Sequence, residues 1–330
     1  MSRSILVVAA ILVGCVDPLV EDADPIEAPS LKQIALTYDD APLGDGPRFT
    51  GQERTEAFLA ELEAANSGPV AIFVTTQGLD RLNGADRIAS YAAAGHLIAN
   101  HSDRHAGASR TPTEDYIADI DRAEEKLTQF DNRRPWFRFP FLDEGGMGEA
   151  NKTGEKRDAY RAALAERGLI SGYVTIDTYD WHLDRLWSQA VAEDRAVDMA
   201  ALSELYVDMV RDAAEHYDAL GQRVLGRRPV QVLLLHENDL AASFTTEMIA
   251  GLRADGWEIV DPDLAFSDPI AEQQPETLFS GMGRISALAA DQGLRDWETL
   301  NHWSVSETAI TERAFESGAF ERPNRAGAPE

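Results

Sequence analysis

The chain has 330 residues, 44% of them apolar, a formal charge of −27 and a single cysteine. That apolar content is enough to bury a sizeable core, and neither disorder nor a fibrous repeat fits the composition. The acidic excess is spread along the chain, which speaks against nucleic acid as a partner and favours a neutral or cationic ligand unless a local patch overrides the overall field.

From the N-terminus, Ser4 to Val13 is an apolar run behind Arg3, too short for a permanent membrane helix but suited to the core of a signal peptide. It ends in Leu12-Val13-Gly14-Cys15, which resembles the lipobox of bacterial lipoproteins, where the cysteine is acylated and becomes the mature N-terminus. Cys15 is the only cysteine, so it has no disulfide partner, and no other thiol competes for a nucleophilic or metal role. The expectation is a signal peptide over 1–14 and an acidic, proline-bearing tether over 15–30. The protein is then exported and lipid-anchored on the periplasmic or outer-membrane side of the envelope, touching the membrane only through that lipid; the alternative is plain secretion.

Beyond the tether, short apolar runs alternate with segments of helical period, the signature of a parallel α/β fold. Seven strands are expected near 33–37, 70–74, 96–99, 136–139, 169–175, 231–235 and 257–260. The clearest helices are 52–66, 113–130, 156–167, 199–220 and 245–255. A seven-stranded β/α barrel or a strongly twisted open sheet satisfies this order. The catalytic domain is placed at 31–265, with 183–229 as a helical insertion too long for one crossover, and 266–330 as a C-terminal extension.

Polar residues cluster just after these runs: Asp39 and Asp40 after the first, His101 and His105 after the third, Arg138 at the fourth, Asp180 beyond the fifth and His236 after the sixth. In a parallel barrel the carboxyl ends of the strands share one rim, so residues distant in sequence meet there. His101 and His105 are four apart, and one helical turn would point both imidazoles at the same ion. Adjacent Asp39 and Asp40 at a strand end repel each other unless a cation or a shared proton relieves them, although an Asp-Asp-x-Pro turn would account for one of the two. Two imidazoles and a carboxylate leave open positions on a zinc-like ion, as a catalytic site requires.

Together these segments resemble the polysaccharide deacetylase family, carbohydrate esterase family 4. The resemblance rests on five motifs in the family's order: Thr37-Tyr38-Asp39-Asp40-Ala41-Pro42, His101-Ser102-Asp103-Arg104-His105, Arg138-Phe139-Pro140-Phe141, Asp177-Thr178-Tyr179-Asp180-Trp181 and Val232-Leu233-Leu234-Leu235-His236. It spans about 31–260 and implies a distorted seven-stranded (β/α) barrel. It further implies that Asp40, His101 and His105 bind Zn2+ or another divalent transition metal such as Co2+, and that Asp39 is the general base on metal-bound water. His236 is implied as the acid, oriented by Asp180, with Arg138 paired to Asp39. A backbone N–H near Phe141 would meet the oxyanion, and Trp181 and Leu234 would shape the acetyl pocket. Three positions depart from the pattern: Ala41 for glycine, Ala106 for a common proline and Phe141 for tyrosine, none of them removing a catalytic side chain. The expected activity is removal of N-acetyl groups from an envelope or extracellular glycan such as chitin-like oligomers, peptidoglycan or an exopolysaccharide. O-acetyl esterase activity of the xylan type and a non-catalytic glycan-binding lipoprotein are the alternatives.

Overall fold

A computed structural model describes residues 31–46, 48–148, 151–278 and 281–322. Cys15 and the segments expected as signal peptide and tether lie outside these residues. Seven strands, β1 (Lys32–Ala41), β2 (Ala71–Val74), β3 (Leu97–Asn100), β4 (Arg133–Phe137), β5 (Ile170–Ser171), β6 (Gln231–His236) and β7 (Trp257–Ile259), form one all-parallel sheet. Its order is β5-β4-β3-β2-β1-β6, with β7 added beside the start of β1. Strands β2 and β3 are buried along their whole length, and β6 up to its final His236, which is why they read as unbroken apolar runs.

The ring is closed beyond β5. Ile176 pairs with Leu233 of β6, its N–H donating to the Val232 carbonyl at 3.0 Å and its carbonyl accepting from Leu234 at 3.0 Å. This makes the sheet a distorted barrel of the expected type, helices outside. The fifth strand is shorter than the expected 169–175. At Gly172 a Cβ would come within 2.6 Å of the Phe73 ring, so the chain presses on the barrel interior there instead of continuing a regular ladder.

Helices α1 (Gly51–Ala64), α2 (Gly84–Ala93), α3 (Thr113–Leu127) and α4 (Glu155–Glu166) cover the first half. Thr50 starts α1 with a capping box to Glu53. The 183–229 region is two helices, α5 (Asp180–Ala192) and α6 (Met199–Leu225), the second capped by the Asp198 side chain and ended by Gly226. Helix α7 (Ala241–Ala254) packs on both α1 and α6, and α8 (Pro262–Phe266) follows β7. The C-terminal residues add α9 (Arg284–Asp291), α10 (Trp297–Leu300) and α11 (Glu307–Glu316). They are tied to the body by backbone bonds from Tyr179 to the Ser304 carbonyl (2.7 Å) and from Asp198 to the Ala319 carbonyl (3.0 Å). No helix among the described residues is long and apolar enough to cross a membrane.

Candidate active site

Strand register assembles the site. Asp39 of β1 lies directly opposite His236 of β6, and Asn100, which precedes His101, lies opposite Phe137, which precedes Arg138. Successive side chains on a strand point to opposite faces, so Asp39 and Asp40 should diverge. They do not, because Asp40 takes a left-handed φ of 69° where the β1–β2 register shifts between Tyr38 and Ala41, and both carboxylates line the same cleft. Ala41, in place of the family's glycine, is fully buried and avoids the left-handed region.

His101 and His105 are not on a helical turn, contrary to the reading of their spacing. The segment after β3 is an irregular loop with φ of 70° at Ser102 and 54° at His105. Side chains hold it instead: Asn100 Oδ1 accepts from Ser102 N–H (2.7 Å), Ser102 Oγ from His105 N–H (3.0 Å), and Asp119 Oδ2 from the N–H groups of Asp103 (2.8 Å) and Arg104 (3.1 Å). The Arg138 carbonyl lies 2.9 Å from His101 Nδ1. A carbonyl can only accept, so Nδ1 carries the proton and the Nε2 lone pair faces the carboxylates.

Asp40 Oδ1 lies 3.0 Å from His105 Nε2 and 3.5 Å from His101 Nε2. Neither contact has hydrogen-bond geometry, and the oxygen is buried without a partner. One ligand atom from each of Asp40, His101 and His105 lies within 4.8 Å of the others, so this carboxylate and two imidazoles fit a metal ion, which would satisfy that orphaned oxygen. Burial alone would raise the Asp40 pKa, but the His105, His236 and His101 rings outweigh it and hold the carboxyl well below its usual range. Burial lowers His101 to about 4, leaving a neutral imidazole at neutral pH.

Asp39 is 2% exposed and accepts from Arg138 Nη1 at 2.6 Å. The same guanidinium donates to Thr37 Oγ1 (2.7 Å) and to the Gly172 carbonyl (2.7 Å), so its position is fixed from three sides. Across the cleft, His236 Nδ1 meets Asp180 Oδ1 at 2.6 Å, and Asp180 also receives the His236 N–H, Asn238 Nδ2 and its neighbour Trp181 N–H. Burial would lower His236, yet the Asp180 charge and hydrogen bond, with Asp40 and Asp39 behind them, raise it to about 10.

Asp39, Asp40, His101, His105 and His236 line one cleft of about 500 Å3, with Phe141, Trp181 and Leu234 among its walls. Arg138 and Asp180 act on it through Asp39 and His236. The Phe141 ring packs edge-on against His105, with centroids 4.6 Å apart. Leu142, Met147, Asp177, Tyr179 and Gly281 also line the cleft and had not been singled out individually. Asp177 and Tyr179 belong to the fourth of the five motifs, whereas nothing local in the sequence marks Gly281. Burial raises Asp177 to about 7. Trp187 is buried, and neither it nor Trp297 nor Trp303 reaches the cleft.

A barrel whose strand ends bring a buried carboxylate, a carboxylate and two imidazoles that fit a metal ion, and an imidazole–carboxylate pair around one cleft has the layout of a hydrolase. The family model for polysaccharide deacetylase matches residues 27–154. Among solved structures, a family 4 carbohydrate esterase from Streptomyces lividans is similar at 19% identity and TM-score 0.43, over 71% of this chain and 95% of that one. The chitin deacetylase of Colletotrichum lindemuthianum has 19% identity and TM-score 0.48 over 76% and 98%. The catalytic domain of a peptidoglycan N-acetylglucosamine deacetylase from Eubacterium rectale has 21% identity and TM-score 0.47 over 70% and 89%. No curated protein matches the chain in sequence.

Proposed function

We propose that the protein is a metal-dependent N-deacetylase of an envelope or extracellular glycan, with Asp40, His101 and His105 holding a divalent transition ion such as Zn2+. The observation that carries this reading is the orphaned Asp40 Oδ1 between two imidazoles, one carboxylate away from Asp39 and across the cleft from His236. When bound, the ion supplies positive charge that polarises the acetyl carbonyl and lowers the pKa of water beside it.

The remaining chemistry belongs to the chain. Asp39, paired with and aimed by Arg138, takes a proton from the attacking water as its oxygen bonds to the acyl carbon. The Phe141 N–H meets the developing oxyanion. His236 delivers its proton to the nitrogen as the C–N bond breaks, releasing acetate and a free amine, and Asp180 holds the imidazolium that makes this transfer available. Trp181 and Leu234 enclose the acetyl methyl.

The test is metal content by elemental analysis together with acetate release from acetylated chitooligosaccharides, peptidoglycan and acetylxylan. About one ion per chain in wild type is expected, retained in Asp39→Asn and lost in His101→Ala, with turnover lost in both variants. Failure to take up an ion even with zinc supplied would overturn the reading. Release from acetylxylan alone would replace the amide by an ester as substrate. The same reading puts the enzyme at the envelope, tethered through Cys15, which mass spectrometry of the membrane-fraction protein checks: a mature chain beginning elsewhere would refute it.

A further inference from the structure

A second pocket adjoins the catalytic cleft, where α4 and residues 275–278 and 282–287 meet the rim at β4 and β5. Leu142 lines both spaces, and Arg138 forms part of the second one's wall. Three further guanidinium groups line it, those of Arg157, Arg161 and Arg284, against a single carboxylate, Glu144. Arg157 pairs with Asp158 and Glu276, and Arg161 Nη2 with Glu144 at 3.2 Å. Arg284 is 5% exposed, and among the described residues no carboxylate pairs with it. Its Nη1 and Nη2 are taken by the carbonyls of residues 270, 271 and 273 and by Ser171 Oγ.

Those bonds explain why Arg284 is there; they do not neutralise it. A buried cation whose neighbouring carboxylate, Glu144, is already paired with Arg161 is costly, and carbonyl dipoles with the Tyr173 ring at 4.7 Å return only part of the lost hydration. Arg284 Nε–H and the Nε–H and Nη1–H groups of Arg161 have no acceptor among the described residues and are not sealed from water. With the Arg138–Asp39 pair set aside, Arg157 is met by Asp158 and Glu276 and Arg161 by Glu144, which leaves Arg284 as the lining guanidinium with no ion pair among the described residues. The open space is about 50 Å3, room for roughly three waters or one small anion.

We propose that this pocket binds a small monovalent anion, a carboxylate of acetate size or a halide, between Arg161 of α4 and Arg284 of α9. The anion accepts from the unused guanidinium N–H groups, supplies Arg284 with an ion-pair partner, and links the C-terminal extension to the barrel body beside Arg138. The inference goes beyond the metal-site reading and does not depend on it, because its test involves no turnover.

The experiment is thermal unfolding of the full chain titrated with sodium acetate and, separately, sodium bromide, at ionic strength held constant with a bulky sulfonate buffer salt. It is paired with anomalous diffraction from bromide-soaked crystals. Expected are a saturable rise in Tm of roughly 2–4 °C in wild type, its loss in Arg161→Gln, and a bromide peak between Arg161 and Arg284. Saturation by acetate but not bromide would restrict the site to carboxylates, with an acetate-soaked crystal then showing the density in place of bromide. A non-saturating response equal in wild type and Arg161→Gln, or a pocket holding only water in both soaks, would overturn the proposal.

Discussion

Replacing Asp180 by Asn removes a charge while keeping the shape of the side chain that holds His236. The rise of His236 from 6.5 to about 10 corresponds to about 5 kcal/mol, and Asp180 is the largest contributor raising it. In the substituted enzyme His236 gives up its proton at lower pH, and the amide can also favour the wrong tautomer. Loss of a positioned general acid costs about 10²- to 10⁴-fold in kcat. The alkaline limb of the kcat profile is expected to move down by at least about one pH unit, with bound metal unchanged. A second readout uses chelated protein. A group whose pKa is raised on folding contributes stability that is fully present below its unfolded pKa and lost as pH rises through the folded value. The Tm gap between wild type and Asp180→Asn should therefore be widest at or below pH 6.5 and narrow towards pH 10. Unchanged kcat, within about threefold, and an unmoved alkaline limb would refute the assignment of His236 as acid.

Asp119→Ala should lower stability by about 1–3 kcal/mol, because the N–H groups of Asp103 and Arg104 lose their acceptor while the half-exposed Arg104 and Arg122 side chains return to water. It should also weaken metal binding about 10- to 100-fold by freeing the loop between His101 and His105, read by unfolding and by metal titration. Gly281 has φ of 72° and its N–H donates to the Phe141 carbonyl at 3.1 Å. Gly281→Pro should thus cut kcat about 10- to 100-fold through misplacement of the Phe141 loop while leaving metal content intact. Stripping the ion with a chelator should lower Tm by roughly 5–15 °C, reversed by added zinc.

The parts of the site that can be read from sequence are those whose chemistry sits next to a strand. Asp39, His101, Arg138 and His236 each follow an apolar run, and parallel register carries them to one rim. The backbone that aims them is less legible. Nothing in His101-Ser102-Asp103-Arg104-His105 announces two left-handed residues, since these depend on Asn100, Asp119 and Ser102 side chains satisfying the loop's N–H groups. Helix α2 was not anticipated at all. Its Gly84 start, where a Cβ would stand 2.2 Å from the Gly78 carbonyl, is dictated by packing instead of local preference. Gly281 was equally hidden: it joins the cleft from a segment that shows no strand signal, more than forty residues past His236.

Asp40, Ser102, His105, Phe141 and Leu142 all hold left-handed backbone without being glycine. Each such residue stores on the order of 1 kcal/mol that the surrounding packing must hold in place. The catalytic rim is consequently the part of the molecule where selection for heat resistance and selection for turnover pull in opposite directions. Glycine at Ser102 or Leu142 would relax the chain, yet it would also free the backbone that now keeps His105 and the Phe141 N–H on target.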